Sequence, residues 1–598
     1  MRTSTSGAQS RVTSGVTARV RTRVRSRVRA LASTAVATGL CLGGAAALQA
    51  PSQAAPGTCD VAYPVSDLTA GQAVNGLTVS SGTTPEAFTG EVLGVLHDGI
   101  EPGVDMIMMR LTSTEIDRVG GIWEGMSGSP VYASDGRLIG AVAYGLAYGT
   151  TPVAGITPYE DMQQFAGAQP APSRVDVPSR AARTIARATG VSAAQAGNGF
   201  AELKVPTGIA GLGPRALARD KGRPYLDRHA YVAGRAGGSG GPTAADMVAG
   251  GNLVATLSTG DVLQGAVGTI TSVCNGTVVG FGHPLAFAGR VHYGMAGGDA
   301  LYVQEDPVNV PFKVANIGDL LGTVDQDRMT GIAGLLGGTP ASLPITSKVT
   351  YTPDVGTASS RTGHSFVQLG QAAAATANYE LLVNHQAAMN AYQAGSEKQS
   401  WTVTGHTSSG PFTFTGGNRY TDDFDITFAS VWDLPDLVWL LTNVSGVTID
   451  SVTIRSHVTD STATRKMAGL QQRRGGAWHD ITAGHPVLAR AGHTSTLRLV
   501  YAGGSKGKTF HLAVPAGTSG SGARLDLSSA QGFPFEPYPM PKSLGGVQKL
   551  VDGAVRNDQA DVVLEASGAS GRPVQVHLTT PPDDEVITGH QAFKVKVL

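Results

Sequence analysis

Residues 120–165 read GGIWEGMSGSPVYASDGRLIGAVAYGLAYGTTPVAGITPYEDMQQF, and this stretch decides the fold. Its centre is Gly125-Met126-Ser127-Gly128-Ser129-Pro130. A serine nucleophile has to sit on a tight turn. Only then is its hydroxyl presented while neighbouring N–H groups converge on one point, and glycines supply the backbone angles that such a turn demands. The N–H groups of Gly125 and Ser127 are the candidate oxyanion hole. Val131-Tyr132-Ala133 follows as an apolar strand, and Asp135-Gly136 is a hairpin turn signal. Leu138 to Tyr144 reads as the return strand. A Gly-rich loop, a short strand at Val153–Ile156 and a closing helix from Pro158 complete the order.

That order resembles the last part of a trypsin-like serine peptidase, in which a G-x-S-G-G-P turn leads through a hairpin, a pocket loop and a strand to a terminal helix. Here Ser129 stands at one of the glycines. The GMSGSP string more specifically resembles the SpoIVB-type (sporulation stage IV B) serine peptidase family. Residues 267–284, VGTITSVCNGTVVGFGHP, add a second likeness: a hairpin with an Asn275-Gly276 turn that leads to Gly282-His283-Pro284. The family carries its catalytic histidine in a similar Gly-His context. Gln326-Asp327-Arg328 and Gly331-Ile332-Ala333-Gly334 are similar to familial strings too. The likeness covers roughly residues 65–345.

The resemblance implies a Ser127/His283 pair, with His283 as the base that takes and returns the serine proton and an aspartate that orients the imidazole. Two features depart from the family. Its histidine precedes its serine, whereas here His283 follows Ser127, so the core reads as permuted. Its aspartate lies about fifteen residues before the serine, and that count from Ser127 reaches Thr112. Asp117 and Asp105 flank that position. Asp117, within the segment that leads into the serine turn, is the first choice and Asp105 the alternative. No PDZ-like module of the family's kind is recognisable.

Other strings compete. Gly237-Gly238-Ser239-Gly240-Gly241-Pro242 matches the trypsin-like string more literally, but no strand, hairpin or closing helix follows it, so it reads as a flexible linker. Among the fourteen histidines, His97 reads as a hairpin-turn residue. His292 is the rival of His283, and His485 repeats Gly-His-Pro outside any familial context. There is no HExxH, no CxxC and no phosphate loop, so no metal or cofactor is expected.

The chain has 598 residues, of which 80 are glycine, 15% charged and 6% aromatic. Frequent glycine with little charge favours short strands and tight turns and excludes a disordered polyelectrolyte. Residues 1–30 hold eight arginines and no acid, and an uncharged small-apolar run extends from Ala30 to Ala50. This is the pattern of a secretory signal over residues 1–54, cut after Ala54. Its removal leaves 37 basic against 45 acidic residues, a mildly acidic body with no electrostatic footprint for nucleic acid. No later stretch is apolar enough to span a membrane. The two cysteines then left, Cys59 and Cys274, permit one disulfide in an exported protein.

The expected architecture is mainly β: a trypsin-like double β-barrel peptidase core, permuted, followed by a β-rich C-terminal module. Residues 55–167 form the serine-bearing half, 168–190 a linker with an Arg/Ala helix, and 191–345 the histidine-bearing half. Residues 346–445 form a mixed α/β extension with a helix near Gln371–Tyr392. Residues 446–598 form a β-sandwich-like module, opened by the alternation Val447-Thr448-Ile449-Asp450-Ser451-Val452-Thr453-Ile454. The expected function is a secreted or cell-envelope serine endopeptidase that makes selective or regulatory cuts in protein substrates. The alternative is an inactive peptidase-like scaffold whose C-terminal module binds an envelope or protein partner.

Overall fold

A computed structural model describes residues 59–147, 149–163, 174–219, 222–227, 229–238, 240–306, 310–530, 532, 539–568 and 571–598. The expected signal segment and Ser239 lie outside the described residues. The first half consists of β1 (Ala73–Thr78), β2 (Glu86–Glu101), β3 (Val104–Thr112), α1 (Thr114–Val119), β4 (Pro130–Tyr132), β5 (Leu138–Leu146), β6 (Val153–Pro158) and α2 (Tyr159–Met162). β1 to β6 pair antiparallel in the cyclic order 1-2-3-6-5-4, and the β4–β1 pairing closes the ring. A closed ring of this size leaves an interior that side chains fill. Phe88, Ile107, Met109, Val131, Ile139 and Val142 occupy it. The Asp135-Gly136 hairpin joins β4 and β5 as its sequence indicates, with Gly136 at φ 85°.

A connecting segment follows: β7 (Arg174–Val175), α3 (Ser179–Thr189), α4 (Ala193–Ala196), β8 (Phe200–Glu202), β9 (Thr207–Ala210), α5 (Pro214–Arg219) and β10 (Tyr231–Val232). The Arg/Ala helix expected in the linker is α3. The second half consists of β11 (Asn252–Gly260), β12 (Leu263–Cys274), β13 (Thr277–Gly280), β14 (Gly289–Gln304), β15 (Phe312–Arg328) and β16 (Gly331–Leu336). These strands close into a second antiparallel ring. Numbered within the ring, their cyclic order is again 1-2-3-6-5-4. The Asn275-Gly276 turn has positive φ at both residues, 50° and 80°, which is what a two-residue hairpin with the native strand twist requires. Cys59 and Cys274 are disulfide-bonded, with Cα atoms 4.9 Å apart, so the start of the described chain is tied to the end of β12.

The second ring continues into an open sheet. β17 (Leu343–Thr352), β18 (Ser359–Val367), β19 (Gly395–Thr407), β20 (Gly410–Asp422) and β21 (Thr448–Thr459) extend it, with α6 (Ala373–Met389), α7 (Ile426–Ala429) and α8 (Asp433–Thr442) in the connections. α6 is buried along most of its length because it packs between β17, β18 and α8. One expectation is corrected here. The alternating stretch after residue 446 does not open the C-terminal module. As β21 it lies between β17 and β19, parallel to the former and antiparallel to the latter. The alternation correctly gave a strand, but periodicity carries no information about which strand it pairs with. The final module, from residue 464 onward, is two five-stranded sheets around a core of Leu470, Leu497, Leu499, Leu525 and Leu564. No helix among the described residues is long and apolar enough to cross a membrane.

Candidate active site

Ser127 lies in the connection from α1 to β4, and the second barrel holds that turn. Met126 N–H donates to Trp123 O at 3.1 Å and Ser129 N–H to Met126 O at 2.8 Å, which folds the turn on itself. Glu124 bridges to the start of β15: its N–H donates to Pro311 O at 2.7 Å, and Lys313 N–H donates to Glu124 O at 2.9 Å. Residues of β12 complete the clamp. Thr269 N–H donates to Ser127 O at 2.8 Å. Thr269 Oγ1 donates to Gly125 O at 2.9 Å and Thr271 Oγ1 to Gly128 O at 2.8 Å.

Gly125 and Gly128 have φ of 96° and 98°, a region that side chains with a Cβ avoid. At Gly128 space forbids any other residue as well, since a Cβ would lie 1.9 Å from Thr269 O. With the turn held this way, the N–H groups of Gly125 and Ser127 have no hydrogen-bond partner among the described residues. Two unspent donors beside a serine are what an oxyanion hole consists of. Ser129 faces away from this point and donates through Oγ to Thr78 Oγ1 at 2.9 Å, fully buried.

His283 lies in the connection from β13 to β14. Phe281 and Gly282 both have positive φ, 69° and 72°, and Thr157 Oγ1 donates to Gly282 O at 2.6 Å. These contacts turn the imidazole toward the first barrel. His283 Nε2 and Ser127 Oγ are 2.8 Å apart, and His283 Nδ1 is 2.8 Å from Pro284 O. A carbonyl can only accept, so Nδ1 carries the hydrogen. Nε2 is then the lone pair that receives the Ser127 hydroxyl proton. Burial holds the His283 pKa below its ordinary value, opposed in part by the Pro284 carbonyl, the Asp327 charge and the Leu203 carbonyl. The imidazole is therefore neutral and able to act as a base near neutral pH.

The structure does not bring either expected aspartate to this pair. Asp117 is exposed on α1, and Asp105 accepts from His97 Nδ1 at 3.0 Å and from Asp98 N–H at 2.9 Å. The first faces solvent from a surface helix, and the second is engaged by His97 and Asp98 at the end of β2. Proximity in sequence to the serine misled because the histidine belongs to the other barrel.

Its support comes from Asp327, on β15, which is completely buried. Asp327 accepts from the N–H groups of Leu285 at 2.8 Å, Ala286 at 2.9 Å and Ala288 at 3.4 Å, and from Tyr293 OH at 3.0 Å. Asp327 thus fixes the loop that begins at Pro284, and Pro284 O fixes the ring. The Gln326-Asp327-Arg328 string marks this residue in the sequence, but nothing local announces that it serves His283. The other histidines are elsewhere: His292, His97 and His485 are exposed.

Lys313 escapes sequence reading altogether. Its side chain is completely buried against Gly125, with Nζ 2.9 Å from Asn252 Oδ1 and 3.4 Å from Thr269 Oγ1. Burial pulls its pKa down to about 7. The only available signal was a lysine at an inward position of an alternating strand.

Chemically, the arrangement presents a hydroxyl, a neutral base on the same hydrogen bond and two free donors, which is the equipment for acyl transfer. No curated protein and no solved structure matches the chain. The match that is found is to the family described as SpoIVB peptidase S55, over residues 13–157, a span that takes in Ser127 and stops short of His283.

Proposed function

We propose that the protein is an exported serine endopeptidase of the SpoIVB kind that makes selective cuts in protein substrates. The observation that carries this reading is the 2.8 Å contact between Ser127 Oγ and His283 Nε2, made across two barrels. Ser127 Oγ attacks the carbonyl carbon of a peptide bond while its proton passes to His283 Nε2. The carbonyl oxygen, now negative, is held by the N–H groups of Gly125 and Ser127. Collapse of this intermediate breaks the C–N bond, and His283 returns the proton to the departing amine. Water then hydrolyses the Ser127 ester by the same route in reverse.

Treatment of the purified protein with a fluorophosphonate probe tests the reading. Labelling is expected in the wild type, with none in Ser127→Ala and a loss of at least about a thousandfold in His283→Ala. Labelling that persists in Ser127→Ala moves the nucleophile elsewhere, Ser239 first. One observation favours the second reading, an inactive scaffold: Ser127 is completely buried. A wild type that stays unlabelled under all conditions selects it.

A further inference from the structure

We propose that the segment Phe200–Leu203 occupies the cleft in which this enzyme binds an extended peptide, with the Leu203 side chain in the pocket beside Ser127. The site is thus closed by its own chain and built for an aliphatic residue before the cut bond. This inference rests on the reading of Ser127 as nucleophile and adds the substrate class and the gate.

β8 is not part of the first barrel. It is added to the outside of β5, antiparallel, with Glu202 opposite Tyr144, Ala201 opposite Gly145 and Phe200 opposite Leu146. The ladder is continued at both ends. Leu203 N–H donates to Ala143 O at 3.0 Å, and Ala147 N–H donates to Gly199 O at 3.0 Å. Addition of an extended segment to a sheet edge is a general mode of peptide binding: main-chain bonds hold the peptide, and pockets for alternate side chains choose it. Here the edge belongs to the strand that returns from the serine hairpin.

Two features converge on Leu203. Its N–H ends the ladder. Its side chain, 3% exposed, belongs to the apolar cluster that contains Ile122, Trp123 and Met126, the residues that lead into Ser127. Gly145 leaves the room for that side chain. A Cβ there would lie 3.1 Å from Leu203 Cδ2 and 3.4 Å from Ile122 Cδ1. Beyond Leu203 the chain crosses to the second barrel, where Pro206 O accepts from Val267 N–H at 3.0 Å. The segment therefore runs from the first barrel to the second beside the turn that carries Ser127, and on this proposal it is what leaves Ser127 and His283 only 0% and 2% exposed. An outside peptide enters only when this strand leaves.

The rate of fluorophosphonate labelling at Ser127 tests the gate. Leu203→Asp places a charge in the apolar pocket. Ala201→Pro removes one N–H from the ladder and leaves Leu203 intact. Each is expected to label at least about tenfold faster than the wild type. The opened variants should also release coumarin from acetyl-Phe-Ala-Glu-Leu-aminomethylcoumarin at least about tenfold faster than from the peptide that ends in Asp. In the wild type, where no folding control is needed, hydrogen exchange at the amides of Ala201 and Leu203 should speed up once Ser127 is labelled.

Wild-type labelling that neither folded variant accelerates, unchanged exchange after labelling, or equal turnover of the two peptides each overturns the proposal and leaves Ser127 as nucleophile. Absence of Ser127-dependent labelling in every variant is the separate failure of the peptidase reading, and the proposal falls with it.

Discussion

The two barrels have the same cyclic strand order, and each places its functional side chain in the same connection, from its third strand to its fourth: Ser127 between β3 and β4, His283 between β13 and β14. Yet they are supported differently. Within its own barrel, the serine turn is shaped by the short stretch Trp123–Pro130 and by Val142 of β5, whose O accepts from Gly128 N–H. The imidazole instead depends on a carboxylate on β15, at Asp327, and the turn it faces is backed by a lysine on the same strand, Lys313. A nucleophile is therefore shaped by local backbone geometry that the other barrel then clamps. A base needs a long-range acceptor to hold its loop. Substitutions on each side test that contrast.

The largest effect is expected at Gly128. In Gly128→Ala the new Cβ meets Thr269 O at 1.9 Å and Phe281 N at 2.5 Å, both backbone atoms of the other barrel, at a φ of 98°. Neither barrel can give way without losing the Ser127–His283 contact. A loss of about 3–5 kcal/mol in unfolding free energy is expected, with labelling abolished. Thermal denaturation and probe labelling check it. A variant with wild-type stability and labelling would show that the clamp between the barrels is loose.

Asp327→Asn comes next. It replaces an acceptor of three N–H groups and one hydroxyl by a group that is half donor, so at least one buried donor loses its partner. A cost of about 2–3 kcal/mol is expected, and misplacement of the Pro284 loop should slow labelling about tenfold to a hundredfold. The pH profile separates this role from a merely structural one. The Asp327 charge raises the His283 pKa, so its removal moves the acid limb of the labelling profile to still lower pH. That limb already lies below the ordinary histidine value, 6.5, because burial favours the neutral ring. Asp117→Asn and Asp105→Asn should leave rate and profile unchanged. A large loss in either would restore a conventional triad.

Lys313 offers a smaller effect with a defined sign. Its pKa is about 7 in the folded protein against an ordinary 10.5. Between those values the unfolded chain holds a proton that the native state has released, so this residue makes stability rise with pH across that window and costs most below it. Lys313→Met removes the cost at the price of an unpaired Asn252 Oδ1. A net gain of about 1–2 kcal/mol is expected near pH 6, shrinking toward pH 10. Denaturation at several pH values checks it. A gain independent of pH would mean that the ammonium is matched by the nearby Glu86 charge.

How much was legible in the sequence follows the same division. The serine turn, both hairpin turns and the order of strands after Ser127 were readable because each depends on neighbours in the chain: glycines with positive φ, Asp-Gly and Asn-Gly pairs, alternation. His283 was found only through a resemblance. The acid was sought near Ser127, where chain distance suggested it, although the carboxylate that supports the imidazole loop sits 44 residues after His283. β8 was unreadable for a related reason. Phe200-Ala201-Glu202-Leu203 looks like any short strand, and only the register against Tyr144–Leu146 shows where it pairs. The pairing of β21 with β17 was hidden in the same way.

The smallest expected effect is at Ser129, the one place where the turn departs from the trypsin-like string. Its hydroxyl donates to Thr78 Oγ1 on β1 and makes no contact with His283. If the second serine only ties the turn to its own barrel, Ser129→Ala loses one buried hydrogen bond, about 1 kcal/mol, and labels at Ser127 within about twofold of the wild-type rate. Ser129→Gly should cost more, because it also releases backbone that Ser129 now restrains at the entry to β4. A Ser129→Ala variant that folds normally but labels slowly would make Ser129 part of the chemistry. The serine barrel's contribution would then no longer be a single hydroxyl on a local turn, and the contrast with the histidine barrel would fail at its simplest point.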